Sequence, residues 1–169
     1  MKIGRVTISD RAAAGLYADQ SGPEIERRLR AIFGPEASFV AVVIPDELDR
    51  VAGVLRQLAD QDRCDLIVTT GGTGVAPRDI TPEATRSVLD RELPGFGELM
   101  RMRSYDQGIR TAVLSRAVAG ARGSTLIVNL PGKPRAVAEC IGYLEDALVE
   151  AVSLLHGQDP HDAPPMAQR

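Results

Sequence analysis

The sequence predicts a single α/β domain of three layers, in which helices cover both faces of a mostly parallel sheet with one mixed edge hairpin. Short apolar segments alternate with longer amphipathic segments along the 169 residues. The apolar segments are continuous, which is typical of strands buried on both faces. Strands of this kind separated by helices indicate parallel strands joined by crossover helices.

The first half of the chain contains three predicted strands, each followed by a helix. The last of these helices is predicted to begin with Thr81 as N-cap and Pro82 in the first helical position. The strands are predicted over 2–8, 38–44 and 65–70, and the helices over 22–33, 47–59 and 82–92.

The second half begins where Pro94 and Gly95 interrupt the chain before a helical segment that extends to Asp106. A short element at 112–114 comes next. Strands at 117–121 and 124–129 flank Arg122-Gly123, a hairpin signal, and a long helix spans 134–155. The domain is expected to cover 1–156. Residues 157–169 hold three of the eleven prolines and little apolar mass, which predicts a loose tail.

The composition excludes several classes of function. Hydrophobic residues make up 44% and charged residues 25%, as in ordinary globular proteins. A net charge of −3, three Phe, three Tyr and no Trp give no sign of a nucleic-acid partner. No apolar stretch is long enough to span a membrane, and the cysteines Cys64 and Cys140 have no motif spacing. We expect a cytoplasmic protein with two free thiols.

The glycine-rich segment 70–74 is the strongest functional signal. It follows a buried strand and is followed by Arg78 and Asp79, ahead of a helix. Glycines let backbone N–H groups approach an anion closely, and the Thr73 hydroxyl adds a donor. The segment matches neither GxxxxGK[ST] nor GxGxxG. A glycine pair often marks only a tight turn, but this clustering of residues favours phosphate chemistry.

Polar and charged residues follow each predicted parallel strand, and the carboxyl ends of such strands form the usual ligand site of an open α/β sheet. Singly, each has a structural explanation as a turn former, a helix cap or a surface charge. Together they predict an anion-binding site. They are Ser9, Asp10 and Arg11 after the first strand, Pro45, Asp46 and Glu47 after the second, segment 71–79 after the third, and Asn129 to Lys133 after the last.

The available side chains narrow the chemistry. The two histidines, His156 and His161, lie at the end of the last helix and in the tail. We therefore expect carboxylates, cations, hydroxyls and backbone donors to act. Asp46 and Asp79 are candidates to share a Mg²⁺ ion, which prefers carboxylates together with substrate phosphates. Phosphoryl and nucleotidyl transfer need positioning and charge neutralisation more than a protein nucleophile.

Seven short motifs also resemble those of a known family, and the resemblance covers residues 2–156. The chain resembles the molybdopterin adenylyltransferase family, the bacterial counterpart of the gephyrin G domain. The motifs are Ser9-Asp10-Arg11, Pro45-Asp46-Glu47, Thr70-Gly71-Gly72-Thr73-Gly74, Arg78-Asp79-Ile80-Thr81-Pro82, Pro94-Gly95-Phe96-Gly97-Glu98, Leu114-Ser115-Arg116 and Asn129-Leu130-Pro131-Gly132.

The resemblance implies a Mg²⁺-dependent step of molybdenum cofactor biosynthesis. In that step the terminal phosphate of molybdopterin attacks the α-phosphate of ATP, giving adenylyl-molybdopterin and pyrophosphate. A molybdenum-insertion protein then accepts the product. The resemblance also implies a three-layer α/β fold and a homotrimer, with no nucleic-acid or membrane partner.

Site residues follow from the same resemblance. Asp46 and Asp79 correspond to the catalytic carboxylates and are the residues expected to hold Mg²⁺. The residues expected to bind the nucleotide and the pterin are Ser9, Asp10, Gly71, Gly72, Thr73, Gly74, Glu98, Ser115, Arg116, Pro131, Gly132 and Lys133.

Two other functions fit the same architecture. A non-catalytic molybdopterin carrier would bind the pterin without forming an adenylyl product, although the presence of both Asp46 and Asp79 favours the enzyme. A dinucleotide-dependent dehydrogenase would need GxGxxG after the first strand, where Ser9-Asp10-Arg11-Ala12 stands instead.

Overall fold

The computed structural model describes residues 1–158, and strands and helices alternate in it as the sequence predicts. The strands are β1 Lys2–Ile8, β2 Ser38–Ile44, β3 Leu66–Thr70, β4 Arg91–Glu92, β5 Ala119–Arg122 and β6 Thr125–Leu130. The helices are α1 Asp10–Ala13, α2 Ser21–Phe33, α3 Leu48–Arg56, α4 Thr81–Arg86, α5 Pro94–Asp106 and α6 Pro134–Leu155. Of these, α1 is a single turn, the π-helical turn Gln57–Gln61 extends α3, and the 3₁₀ turn Arg110–Leu114 follows α5.

The strands form one six-stranded sheet in the order β2-β1-β3-β6-β5-β4. The first four are parallel, and β5 and β4 continue the sheet in antiparallel pairings. In register, Ile3 lies beside Leu66, and Leu66 beside Leu126. The predicted fold class is therefore confirmed, and the carboxyl ends of the four parallel strands lie at one edge.

Two apolar cores lie on opposite faces of the sheet. Side chains on neighbouring strand positions alternate between them: Leu66 and Val68 join α2, α5 and α6, whereas Ile67 joins α3 and α4. This alternation follows from the two-residue period of a strand. Every residue of the central strands β3 and β6 is buried, because both of their faces are covered, whereas the edge strand β2 is mostly exposed or half-buried.

The structure differs from the prediction in several places. The helix expected over 82–92 ends at Arg86, because the chain returns to the sheet as β4. There the N–H groups of Asp90 and Leu93 donate to the carbonyls of Ala121 and Ala119, at 2.8 Å and 2.7 Å. Thr81 is the first helical residue and not the N-cap. The single turn α1 was not predicted, since four residues carry no periodicity.

The remaining expectations concern the thiols, the membrane and the tail. Both cysteines are free and buried, and burial raises the pKa of Cys64 and of Cys140 to about 11. Within residues 1–158, no helix combines the length and the apolar character that crossing a bilayer requires. Of the expected tail, residues 159–169 lie outside the described part of the chain.

A buried polar cluster around Asn129 lies beneath the carboxyl edge of the sheet. The Asn129 amide nitrogen donates to the hydroxyls of Thr69 and Thr85 at 3.0 Å and 2.9 Å. Its amide oxygen accepts from the backbone N–H of Val118 at 3.3 Å. Asn129 is fully buried. One side chain thus links β3, β6, α4 and the segment that leads into β5.

We expect Asn129→Ala to lower the free energy of unfolding by about 2–4 kcal/mol, because it leaves a cavity and unpaired buried polar groups. Urea denaturation measures this change. Glu145→Ala on the exposed face of α6 is the control, with an expected change within about 0.5 kcal/mol. Equal stability of the two variants would contradict a supporting role for the cluster.

Candidate functional site

The loop after β3 begins with two glycines in the left-handed region, with φ of 98° at Gly71 and 61° at Gly72. A Cβ atom at Gly71 would collide with the carbonyl oxygen of Ile8, and one at Gly72 would collide with the Thr81 hydroxyl. That hydroxyl donates to the Gly71 carbonyl at 2.9 Å. Only glycine combines this backbone conformation with so close an approach.

Arg116 also fixes the shape of this loop. Its backbone N–H donates to the carbonyl of Thr73 at 2.8 Å, and its Nε donates to the carbonyl of Gly74 at 2.6 Å. Its Nη2 donates to the carbonyl of Asp79, and its Nη1 pairs with Glu83. One side chain therefore holds both ends of the segment that leads to Asp79.

Three successive backbone N–H groups of the loop, those of Gly72, Thr73 and Gly74, form no hydrogen bond to an acceptor within residues 1–158. Successive N–H groups of this kind form a concave site for an anion. The loop is therefore equipped to bind phosphate oxygens.

A cleft of about 230 Å³ lies on one side of the loop, and we call it the aspartate cleft. Two carboxylates line it, and none of its lining residues is Arg or Lys. Ser9 and Tyr17 lie at the same cleft, with their hydroxyl oxygens 3.3 Å apart. Its predicted residues are Ser9, Asp46, Gly71, Gly72, Asp79 and Gly132.

The two carboxylates of the aspartate cleft are each held by one backbone donor. Asp46 Oδ2 accepts from the N–H of Asp10 at 2.9 Å, and Asp79 Oδ2 accepts from the N–H of Ala76 at 2.8 Å. Burial raises the pKa of the Asp46 carboxyl, and the negative charges of Asp10 and Asp79 raise it further. A cation at this position would offset that accumulation of negative charge.

These donors fit a magnesium ion. Mg²⁺ is commonly bound by one or two carboxylates, with substrate phosphates and water completing its coordination. Asp46 and Asp79 are the two carboxylates at the aspartate cleft, and each has an oxygen beyond the one bonded to a backbone N–H. Within residues 1–158, no group of three or more His, Cys, Asp and Glu side chains converges as a metal site.

A second cleft of about 290 Å³ lies on the other side of the loop, and we call it the lysine cleft. Its charged residues are Arg101 and Lys133. The N-terminus of α6 also lies at this cleft, and the first turn of that helix contains no acidic residue. A helix N-terminus carries partial positive charge, so this cleft favours anions. Its predicted residues are Thr73, Gly74, Ser115, Pro131, Gly132 and Lys133.

Three residues predicted for the site lie in neither cleft. Glu98 is exposed on α5. The Arg116 guanidinium bonds the glycine loop and Glu83. The Asp10 carboxylate is paired with Arg78. The structure brings the other predicted residues together around the loop, with Gly132 at both clefts.

Sequence reasoning missed several cleft residues, among them Tyr17, Ser21 and Arg101. Ser21 had a detectable signal. It follows Asp19 at a helix start, and the Asp19 carboxylate accepts from the N–H groups of Ser21 and Gly22, each at 3.0 Å. The Ser21 hydroxyl then donates to the carbonyl of Gly132 at 2.8 Å. Tyr17 and Arg101 stand in no motif that would have marked them.

We expect Gly71→Ala to lower the free energy of unfolding by about 1–3 kcal/mol, because alanine is strained at this φ and meets the Ile8 carbonyl. Gly53→Ala is the matched control. Gly53 lies on an exposed face of α3 with open space around it. Alanine there is expected to raise the free energy of unfolding by about 0.5–1 kcal/mol. Urea denaturation of both variants tests the loop conformation, and a shift of the same sign in both would contradict it.

Comparison with known proteins identifies the family. A family profile described as a probable molybdopterin binding domain matches residues 4–150. The molybdopterin adenylyltransferase of Helicobacter pylori is 46% identical over 155 residues, which cover 92% of this chain and 88% of that protein. The molybdopterin adenylyltransferase of Escherichia coli K12 is 43% identical over 157 residues, which cover 93% of this chain and 79% of that protein.

A solved structure agrees with these sequence matches. The molybdopterin biosynthesis enzyme MoaB of Thermus thermophilus superposes with a TM-score of 0.83 at 44% identity, covering 93% of this chain and 97% of that one. The sequence matches and the shared fold extend over the glycine loop and both clefts. The chain therefore belongs to the molybdopterin-binding family of cofactor biosynthesis proteins that includes the bacterial molybdopterin adenylyltransferases.

Proposed function

We propose that this protein is a molybdopterin adenylyltransferase, which transfers AMP from ATP to the terminal phosphate of molybdopterin. One observation carries the proposal: two clefts of opposite charge adjoin the same glycine loop. The reaction joins two phosphate groups, so it needs a site that accepts both and neutralises their charge. The names and the extent of identity of the bacterial relatives support the same activity.

In the proposed reaction, an oxygen of the molybdopterin phosphate attacks the α-phosphorus of ATP. A new phosphoanhydride bond forms, the bond between the α-phosphorus and the bridging oxygen to the β-phosphate breaks, and pyrophosphate leaves with that electron pair. No electron acceptor or donor is required. The protein therefore needs to align the two phosphates and to stabilise the charge that develops between them.

Each part of the site has a proposed role in that alignment. The free N–H groups of Gly72, Thr73 and Gly74 donate to phosphate oxygens between the clefts. Lys133 and the N-terminus of α6 offset negative charge on the lysine side. Asp46 and Asp79 would hold Mg²⁺, which when bound neutralises phosphate charge and fixes phosphate orientation.

The proposed function also implies a cellular location and a protein partner. We place it in the cytoplasm, where two buried free thiols such as Cys64 and Cys140 are ordinary. We also propose that a molybdenum-insertion protein accepts the adenylyl-molybdopterin. The resemblance to the adenylyltransferase family supports both points.

Replacing either cleft aspartate should abolish most turnover. We expect Asp46→Asn and Asp79→Asn each to lower kcat by at least about a hundredfold, because each removes a carboxylate that would hold the Mg²⁺ needed to neutralise phosphate charge. The assay follows adenylyl-molybdopterin and pyrophosphate formed from molybdopterin, ATP and Mg²⁺. Asp146→Asn on the exposed face of α6 is the control and should leave turnover unchanged.

The same assay separates the enzyme from the alternative function. Wild-type protein that binds molybdopterin tightly but forms no adenylyl product would contradict the proposal and favour a carrier of the same fold. Full turnover in Asp79→Asn would contradict only the role given to that residue.

We propose that the chain acts as a homotrimer, as the family resemblance implies. Exposed apolar side chains from α5 to the end of the 3₁₀ turn after it support an association of chains; they are Met102, Tyr105, Ile109, Val113 and Leu114. Size-exclusion chromatography with light scattering should give three times the chain mass of 18.1 kDa. The mass of a single chain at micromolar concentration would contradict the trimer.

A further inference from the structure

We propose that Asp10 is a positioning residue, which together with Arg78 holds Asp46 and the Asp79 loop in one fixed arrangement. This inference rests on the proposed function, because it concerns how the two cleft carboxylates are presented to substrate. It gives Asp10 a role different from the direct ligand contact that the family resemblance implies.

Asp10 and Asp46 form a reciprocal pair of hydrogen bonds. The backbone N–H of Asp10 donates to Asp46 Oδ2 at 2.9 Å, and the backbone N–H of Asp46 donates to Asp10 Oδ1 at 3.0 Å. The pair joins the start of α1, which follows β1, to the chain that follows β2. Each aspartate thereby fixes both the backbone and the carboxylate of the other.

Arg78 binds the same Asp10 carboxylate from the loop after β3. Its Nε donates to Asp10 Oδ2 at 3.0 Å, and its Nη2 lies 2.7 Å from Oδ1 and 2.8 Å from Oδ2. A planar guanidinium in this fork geometry fixes direction as well as distance. Arg78 directly precedes Asp79, so Asp10 connects the segments that carry the two cleft carboxylates.

These contacts leave one oxygen of Asp46 for a ligand. Oδ2 is bonded to the Asp10 N–H, whereas Oδ1 lies on the side of the glycine loop, 3.0 Å from where a Cβ of Gly72 would stand. Both oxygens of Asp10 accept hydrogen bonds from protein donors. Asp10 also lines neither cleft. It is therefore placed to orient Asp46 and not to touch the substrate.

A purely stabilising ion pair is the competing explanation. The side chains of Arg78 and Asp10 are 61% and 45% exposed. Exposed ion pairs of this kind contribute little to the stability of a fold. Arg86 and Glu92 form a similar pair, 48% and 42% exposed, and neither residue lines a cleft. Arg86→Gln is therefore a matched control for Arg78→Gln.

The kinetic test compares Asp10→Ala with Asp10→Asn. Alanine removes the acceptor for the Asp46 N–H, whereas asparagine keeps an oxygen in its place. We expect Asp10→Ala to lower kcat about tenfold to a hundredfold, because small misplacements of reacting groups have effects of that size. KM for ATP and for molybdopterin should stay within about threefold, and Asp10→Asn should recover most of the lost turnover.

The Arg78 link is tested in the same assay. Arg78→Gln should lower kcat without raising KM, and the double variant with Asp10→Ala should be no slower than Asp10→Ala alone, because both act through one contact. Arg86→Gln should match the wild type. If Asp10→Asn is as slow as Asp10→Ala, or if KM rises with the loss of Asp10, the residue contacts substrate or metal directly and the inference is wrong.

Amide hydrogen exchange gives a readout that does not depend on activity. In Asp10→Ala, the Asp46 N–H should exchange at least about tenfold faster than in wild type, and Asp10→Asn should restore its protection. If the wild type forms no adenylyl-molybdopterin, the proposed function fails, while the exchange rates still test the positioning contact. Unchanged exchange at Asp46 in Asp10→Ala would overturn the inference whatever the activity.

Discussion

The left-handed backbone at Gly71 and Gly72 is the constraint on which the site depends. It lets the chain leave β3, pass against the Ile8 carbonyl and lie beside Thr81. The next backbone donors are left without an acceptor in the described part of the chain, in a loop that lines two clefts. Protein contacts support the loop, with the buried Asn129 cluster beneath it and Arg116 beside it. Preorganised donors of this kind stabilise developing charge without rearranging during the reaction.

Charge is distributed unevenly around that loop, and this distribution links the structure to the proposed chemistry. Carboxylates lie on one side, while Arg101, Lys133 and a helix N-terminus lie on the other. Neither side alone suits two phosphate-bearing substrates. In the proposed site, a cation held by Asp46 and Asp79 would make the acidic side receptive to phosphate, and the basic side would need no metal. The site is thereby suited to bring two anionic groups together, which is the main barrier to joining them.

Much of the fold, and where its site lies, could be predicted because both depend on local patterns and topology. The bounds of β1 and β2 match the structure, since β-branched residues predominate in both segments. Convergence of the loops at one edge follows from the parallel order of the strands. Long-range contacts were not predictable. Nothing near Asp10 reveals that Arg78, far along the chain, pairs with it, and β4 forms only because the edge of β5 accepts it.

The most direct test of this site is to map where ATP binds. Amide ¹H–¹⁵N spectra recorded with ATP and Mg²⁺ report on each backbone donor separately. We expect the signals of Gly72, Thr73 and Gly74 to shift with a single dissociation constant, while Gly123 in the distant hairpin turn stays unchanged. Saturable binding of ATP that shifts the hairpin and leaves the three loop amides unmoved would contradict the phosphate-binding role of the glycine loop.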